Sequence, residues 1–266
     1  MSSFRQIARQ YPYNSIARKP LLLQFILLRF FPAQLLPAMS LEPLMKHAYT
    51  LSSHLEFLVR YYISRIGFEQ LWSSRERSTQ KDIEQFYQEH DKDIWRQAYL
   101  SSENYEYKKK ILRAYHLIRA EGISHDTPIL DYGGGAGVLV HYLAKRGYTK
   151  VDIVDVPSQT LDFVRKEMSG LLRHIIGADG TESFPPNEYG AIVTLDCLEH
   201  TLNPLSIARR LMATLRPGGL LVINFPIETD FSHAHTKEAQ IERPAVFAFL
   251  RESCEEVIPE YVYRKR

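Results

Sequence analysis

Ile129-Leu-Asp-Tyr-Gly-Gly-Gly-Ala-Gly-Val138 is the stretch that decides the fold class of this chain. An apolar run ends in Asp131, glycine-rich sequence follows at once, and a helical pattern begins at Val138. This order predicts a strand, a tight turn and a helix N-terminus, because glycine tolerates positive φ and lets a ligand lie against the main chain. The dinucleotide pattern G-x-G-x-x-G is not met, since valine stands where its third glycine would fall.

Apolar segments downstream of this turn extend the pattern. Residues 150–155 read as a buried strand that ends in an acid, where a carboxylate can accept hydrogen bonds from both ribose hydroxyls of a nucleoside. Residues 174–180 read as a short strand that ends in Asp179, whose carboxylate could accept from the exocyclic amine of adenine. Residues 189–196 read as a fourth strand, and residues 215–224 read as a turn that leads into another buried strand. Strands that alternate with helices predict a parallel sheet covered on both faces.

Taken in order, these segments resemble a class I S-adenosylmethionine-dependent methyltransferase. The resemblance runs from about Tyr107 to the C-terminus, and it includes the residues 196–200 and 216–219. It implies S-adenosylmethionine as cofactor. The cofactor-binding residues that it implies are Asp131, Gly133, Gly135, Gly137, Asp155, Val156, Asp179, Gly180, Asp196 and Cys197.

The resemblance also assigns parts of the cofactor to these residues. The three glycines would contact its methionine part and Asp131 would lie near its amino group, while Asp155 would hold the ribose. Asp179 would bind adenine N6, and the residues 196–197 would line the pocket at the end of the fourth strand. Alternatives remain: Asp155 could cap the next helix, residues 179–180 could be an ordinary Asp-Gly turn, and Val156 could belong to the core instead of packing on adenine.

The expected architecture is an α/β fold: a Rossmann-like, seven-stranded, mostly parallel sheet with an α-helical N-terminal extension. We place a helical extension or lid at residues 1–104 and the methyltransferase domain at residues 105–266. Residues 236–253 can supply the helix after the fifth strand, although Pro244 interrupts the pattern. The residues 255–266 must then supply the last strands despite Pro259, so the sheet is either complete or truncated at this edge.

Composition bounds the partners and the compartment. A net charge of +2 does not call for nucleic acid, so a small-molecule substrate is expected. The two cysteines, Cys197 and Cys254, do not form the framework of a disulfide-rich secreted protein, which favours a reducing, cytoplasmic location.

The first 75 residues leave the location of the chain open. Residues 1–40 contain basic residues and no acid, and the apolar run 21–31 is too short to span a bilayer. Residues 1–75 could form a packed extension, a homodimer contact or a peripheral membrane contact. An organelle transit segment is a further alternative.

Methyl transfer to a hydroxyl needs a base that takes the proton. The candidate catalytic residues are Glu199, His200, His233 and His235, which follow the fourth and fifth strands. Parallel strands of such folds bind ligands at their carboxyl ends, and histidine titrates near neutral pH. A capping or orienting role for Glu199 and His200 is the alternative. We expect O-methylation of a small hydrophobic molecule, with methylation at nitrogen or carbon as alternatives.

We expect no metal, but one alternative has a defined ligand set. Asp196, Glu199 and His200, with His235 or His233, could bind a divalent ion. The arrangement is similar to that of metal-dependent O-methyltransferases of ubiquinone biosynthesis and of small-RNA 2′-O-methyltransferases, which carry Glu where this chain has Asp196. Two other functions compete with small-molecule methylation: a non-catalytic binding protein that keeps the cofactor pocket, and an RNA methyltransferase.

Overall fold

A computed structural model of the protein describes residues 71–72, 74, 78–90, 105–178, 182–227 and 235–266. The expectations for Asp179, Gly180 and His233, and nearly all of those for residues 1–75, lie outside these ranges. The boundary placed between residues 104 and 105 stays a prediction.

Helices and strands alternate along the described chain. The helices are α1 (Gln80–His90), α2 (Tyr105–Ala120), α3 (Val138–Ala144), α4 (Gln159–Met168), α5 (Pro204–Thr214) and α6 (Lys237–Ser253). The strands are β1 (Ile129–Tyr132), β2 (Val151–Asp155), β3 (His174–Gly177), β4 (Tyr189–Leu195), β5 (Leu215–Asn224), β6 (Cys254–Ile258) and β7 (Val262–Lys265). Short 3₁₀ turns cover Ser169–Leu171 and Leu198–His200.

Within the described residues, seven strands form one sheet in the order β3-β2-β1-β4-β5-β7-β6. The first five strands pair in parallel, and β7 is antiparallel to both β5 and β6. The predicted Rossmann-like, mostly parallel sheet is thus confirmed. Strand order reverses between β1 and β4, and open α/β sheets bind ligands at such a switch point, outside the carboxyl ends of the strands.

Burial explains why these segments become central strands. All four residues of β1 are buried, as are the first six of β4, which matches the continuous apolar runs that parallel strands need on both faces. One large core cluster joins the sheet to α5 and α6 through residues such as Ile192, Leu211 and Phe247. The loops after β1 and β4 therefore start from strands that are almost entirely buried.

The last sheet edge is complete, so the truncated alternative is wrong. Strand β6 begins directly after α6 at Cys254, earlier than the sequence reading allowed, and Pro259 lies in the turn between β6 and β7. Pro244 does not interrupt α6 either: the helix runs through it from Lys237 to Ser253. Proline removes one helical hydrogen bond, but burial of Val246, Phe247 and Leu250 in the core holds the segment beyond it.

Helix α1 carries an aromatic cluster on one side. Trp72 and Phe86 pack edge to face with ring centroids 5.1 Å apart, and Tyr87 lies against both rings. None of the helices in the described part of the chain has the length and apolar character needed to cross a membrane.

Candidate active site

A cavity of about 230 Å³ opens at the switch point of the sheet. Gly133, directly after β1, and Cys197, after β4, line it together with residues from β2, the loop after β3, α1 and α5. The full set of described lining residues is Gln80, Glu84, Tyr132, Gly133, Val154, Asp155, Val156, Ala178, Cys197, Thr201, Asn203, Ser206, Ile207 and Arg210. The volume is close to the lower end of ordinary ligand sites, about 300 Å³.

The glycine turn has no room for a side chain at Gly133 or Gly134. Gly133, Gly135 and Gly137 have φ values of 76°, 54° and 75°, in the left-handed region that favours glycine. A β-carbon on Gly133 would lie 2.4 Å from Cys197 Sγ. The turn therefore packs its backbone directly on Cys197, the second residue after β4, and the main chain itself forms the cavity wall at Gly133.

Asp155 lies on the cavity wall and supports the glycine turn. Its Oδ2 accepts a hydrogen bond of 2.6 Å from the Gly135 N–H, and its Oδ1 accepts one of 2.8 Å from the Val156 N–H. Asp155 does not cap the next helix, because Ser158 is the N-cap of α4 and accepts from the Leu161 N–H. A carboxylate accepts hydrogen bonds at about four lone-pair sites, which is the chemistry that ribose hydroxyls need.

Asp131 is a buried acid beneath the glycine turn, with 4% of its surface exposed. Burial, and then the nearby negative charge of Asp155, raise the pKa of Asp131 to about 8. A β-carbon on Gly134 would lie 2.9 Å from its Oδ2, so the carboxyl packs directly against the turn. Because a nearby cation favours the ionised form of a carboxyl, this position suits a ligand that carries an ammonium group.

These features fit S-adenosylmethionine, which carries a ribose, an ammonium group and a sulfonium. Asp155 is an acceptor on the cavity wall, Asp131 is an acid beside the turn, and the backbone at Gly133 is bare. Val156 also lines the cavity, in agreement with a contact to the cofactor. Cys197 lines it as a neutral thiol, because burial and the charges of Asp155 and Glu199 raise its pKa.

Asp196 has different contacts from those that the sequence suggested. It adopts a positive φ of 52°, and its Oδ2 accepts from Lys110 Nζ on α2 at 2.5 Å. Its Oδ1 accepts from the side chain of Asn224 at the end of β5. Asp196 is not among the described lining residues of the cavity. It joins α2 to the carboxyl ends of β4 and β5.

Glu199, His200 and His235 come together although the chain separates them. One potential ligand atom from each lies within 4.8 Å of the other two, and Glu199 is buried with 1% exposed. The two histidine rings meet edge to face with centroids 4.9 Å apart, and Tyr87 of α1 packs on His200 at 6.1 Å. The structure thus brings together three of the four described residues considered for a metal or a base.

Thr236 joins the two loops that carry this cluster, the one after β4 and the one before α6, through hydrogen bonds. Its N–H donates to the Glu199 carbonyl at 2.8 Å, and its hydroxyl donates to the Thr201 carbonyl at 2.6 Å. The same hydroxyl accepts from the Ala239 N–H and caps α6. One threonine therefore fixes His235, directly before it, against the turn that carries Glu199 and His200.

Sequence reasoning missed the residues that two helices contribute to the cavity. Gln80 and Glu84 are four apart on α1, and the Gln80 Oε1 accepts from the Leu202 N–H at 2.9 Å. Ser206 and Arg210 are four apart on α5. Spacing of four puts side chains on one helix face, which was a usable signal, but nothing local in the sequence says which face meets the cavity.

A family model described as a methyltransferase domain matches residues 94–252. The ubiquinone biosynthesis O-methyltransferase of Aeromonas salmonicida (strain A449) is 30% identical over 100 residues, which cover 36% of this chain and 42% of that protein. The protein of the same name from Actinobacillus pleuropneumoniae serotype 7 (strain AP76) is 34% identical over 102 residues, which cover 35% of this chain and 43% of that protein. The chain spans less than half the length of these two relatives.

Among solved structures, the YcgJ protein from Bacillus subtilis is similar with a TM-score of 0.43 and 17% identity, over 55% of this chain and 68% of that one. A likeness at this level says nothing about function. The family model, in contrast, covers more than half of the 266 residues. The chain therefore belongs to the methyltransferase-domain family, as a class I S-adenosylmethionine-dependent methyltransferase.

Proposed function

We propose that this protein transfers a methyl group from S-adenosylmethionine to an oxygen of a small, hydrophobic acceptor. The cluster of Glu199, His200 and His235 carries the proposal, because it supplies bases at the carboxyl ends of β4 and β5. The residues on either side of the 198–200 turn, Cys197 and Thr201, line the cavity. The bases therefore lie next to the cofactor cavity, where an acceptor would approach the methyl group.

Several of the residues proposed to bind the cofactor lie on the cavity wall. Asp155 is proposed to hold the ribose, Val156 to pack on adenine and Cys197 to line the pocket. Asp131 is proposed to face the amino group, with the glycines of the turn beside the methionine part. Asp179 and Gly180 keep the role at adenine that the sequence predicts for them.

The bound cofactor supplies an electrophilic methyl group on a sulfonium. His200 or His235 accepts the proton of the acceptor hydroxyl, because a neutral imidazole is a base near neutral pH. Glu199 is the carboxylate beside both imidazoles, and its proposed role is to orient the one that accepts the proton. The Thr236 bonds hold both loops in place, since methyl transfer needs the acceptor oxygen aligned with the methyl group.

The acceptor class rests on two observations. The curated relatives carry the name ubiquinone biosynthesis O-methyltransferase. In addition, the sequence has the apolar run 21–31, which suits an acceptor with an apolar tail. Hydroxylated aromatic rings with a prenyl chain are therefore the first acceptors to assay, with short phenols and primary amines for comparison.

The test is turnover by the full chain with labelled S-adenosylmethionine and that acceptor panel. Substituting the base, His200→Gln or His235→Gln, should lower kcat by roughly 10²-fold or more with little change in S-adenosylhomocysteine affinity. His125→Gln is the matched control, because His125 is exposed and packs on Tyr148 away from the cavity. Near wild-type turnover in both cluster variants would refute the assignment, and cofactor binding without turnover of any acceptor would favour a non-catalytic binding protein.

A divalent cation is a second candidate occupant of the same cluster. Glu199 offers a carboxylate oxygen and both histidines offer ring nitrogens, a mixed donor set that suits manganese, iron or zinc. A bound cation would lower the pKa of an acceptor hydroxyl. Asp196 has other partners in Lys110 and Asn224, so three residues of the described part of the chain would hold the ion.

Chelation separates the two candidates. If a cation is used, dialysis against a chelator should abolish turnover, and one divalent ion should restore it. Calorimetric titration of that ion should show one site in the wild type and none in Glu199→Gln. Turnover that survives exhaustive chelation would exclude the cation and leave the histidine base as the remaining candidate.

A further inference from the structure

Asp196 is bonded to two different elements beside the candidate site. Its N–H donates to the Asn224 carbonyl at 3.2 Å, and the Asn224 side chain donates back to its Oδ1. Its Oδ2 accepts from Lys110 Nζ of α2 at 2.5 Å. Asp196 is thus held by the end of β5 on one side and by a helix outside the sheet on the other.

The backbone of Asp196 determines where the following turn lies. Its φ of 52° is in the left-handed region, which a residue with a side chain keeps only where its surroundings hold it there. Cys197, the next residue, lines the cavity, and its carbonyl accepts from the His200 N–H at 3.0 Å. The direction in which the chain leaves Asp196 therefore sets the position of the 198–200 turn.

Helix α2 gives Lys110 a fixed starting point, because other contacts hold the helix to the sheet. The Arg113 guanidinium lies 4.0 Å from the centroid of the Tyr261 ring, directly before β7. Glu121, directly after α2, pairs with Arg264 of β7. The side chains of α2 that face the core are Ile111, Ala114, Leu117 and Ile118, all at most 3% exposed.

The pair of Lys110 and Asp196 is partly shielded from water. The two side chains are 24% and 31% exposed. A hydrogen bond between two ionised groups is stronger than one between neutral groups. Lys110 therefore supplies both a donor and the opposite charge for the residue at which β4 leaves the sheet.

We propose that Lys110 is a positioning residue for methyl transfer: by holding the Asp196 carboxylate it fixes the 198–200 turn, and with it Glu199 and His200, beside His235. The inference rests on the proposed function and gives Asp196 a role outside the cofactor cavity. Without Lys110, the carboxylate gains by turning to water, and the left-handed backbone loses one of the contacts that hold it. The bases are then aligned with the acceptor for less of the time, which slows the transfer.

Turnover by the full chain at saturating cofactor and acceptor tests this inference. Lys110→Met should lower kcat about tenfold or more, while the affinity for S-adenosylhomocysteine should change by less than about threefold. Lys110→Arg keeps the charge, so its kcat should lie closer to that of the wild type. Lys109→Met is the matched control, because Lys109 is 23% exposed and pairs with Glu106 on its own helix at 3.5 Å.

A double-variant cycle tests whether Lys110 acts through Asp196. Asp196→Asn removes the charge, but asparagine tolerates positive φ and its side-chain oxygen can still accept from Asn224. If the pair carries the effect, the variant with both changes should have a kcat no lower than the worse of the two single variants. Losses that multiply in the double variant would mean that Lys110 acts through another contact, and would overturn the inference.

The two cysteines of the chain report on the turn independently of turnover. Cys197 follows Asp196 directly, whereas Cys254 is buried at the start of β6 with 1% exposed. In Lys110→Met, a maleimide should label Cys197 severalfold faster and Cys254 at an unchanged rate, as measured by peptide mass spectrometry. Faster labelling of both cysteines would mean that the substitution loosens the whole fold, and would count against a positioning role.

The remaining outcomes separate this inference from the proposed function. Wild-type kcat in Lys110→Met, whatever the labelling, would overturn the inference and leave the proposed function standing. A loss of cofactor affinity as large as the loss of kcat would assign Lys110 to the cofactor cavity instead. No turnover of any acceptor by the wild type would overturn the proposed function and this inference with it. Thermal unfolding checks each variant, and Lys110→Gln replaces Lys110→Met if the latter does not fold.

Discussion

Gly133→Ala should destabilise the protein through two separable costs. The first is conformational: Gly133 has a φ of 76°, and a residue with a β-carbon pays about 1–2 kcal/mol in the left-handed region. The second is steric, because the new β-carbon would lie 2.4 Å from Cys197 Sγ and 2.5 Å from Cys197 Cβ. Overpacking of this kind costs about 1–3 kcal/mol. The free energy of unfolding should therefore fall by about 2–5 kcal/mol.

Gly218→Ala is the matched control for the conformational cost. Gly218 has a φ of 75°, but its β-carbon would meet no heavy atom within 4 Å. It should cost only about 1–2 kcal/mol. The difference between the two variants then measures the contact between the glycine turn and Cys197. Urea unfolding followed by circular dichroism gives both values, provided that the slopes against urea agree.

A double variant tests the assigned partner. Cys197→Gly removes both atoms that the new β-carbon would meet. Combined with Gly133→Ala, it should recover about 1–3 kcal/mol relative to the sum of the single changes, the range expected for residues in contact. Equal losses in Gly133→Ala and Gly218→Ala, or simple additivity in the double variant, would refute the close packing of the turn on the end of β4.

Three other perturbations have defined outcomes. Because the pKa of Asp131 is raised from 3.8 to about 8, the ligand-free protein should lose stability as pH rises between these values. In the same pH range, binding of S-adenosylhomocysteine should release a proton. Calorimetry in two buffers measures this release, and Asp131→Asn should abolish it. Burial opposes ionisation of Asp152, but hydrogen bonds led by those from Arg173 hold its pKa below the usual value. The contribution of Asp152 to folding stability is therefore present at neutral pH and is lost as pH falls through that lowered pKa. Arg173→Met should cost about 3–5 kcal/mol in urea unfolding at pH 7, and a loss under about 1 kcal/mol would contradict the buried pair. Gln80→Leu leaves the Leu202 N–H without its acceptor. Proteolysis near α1 should become faster, while the melting temperature of the protein should change little. Unchanged proteolysis would show that this hydrogen bond does not hold the helix.

The sheet and the glycine turn were predictable because their signals are local. Residues 129–138 contain a strand, a turn that only glycine can form without strain, and a helix start, and the structure shows these elements in that order. The apolar runs of β2 and β4 likewise become buried central strands. In each case a stretch of no more than ten residues decides the conformation.

The contacts of side chains across the fold were not predictable in the same way. Asp196 looked like a pocket residue, but Lys110, 86 positions earlier, binds it. The bond between Gln80 and Leu202 joins residues 122 positions apart. Pro244 remains inside α6 because the core packs the helix beyond it, which outweighs the local preference of proline. Such outcomes depend on tertiary packing, on which periodicity and spacing give no information.

The candidate site has two parts, the cavity and the cluster of Glu199, His200 and His235. Gly133, Cys197 and Thr201 line the cavity, whereas Glu199, His200 and His235 are not among its described lining residues. Glu199 and His200 belong to the 198–200 turn, and the residues that flank this turn, Cys197 and Thr201, form part of the cavity wall. A change in the cluster should then lower kcat without altering cofactor affinity, whereas a change in α1, which contacts both the cavity and His200, should alter both.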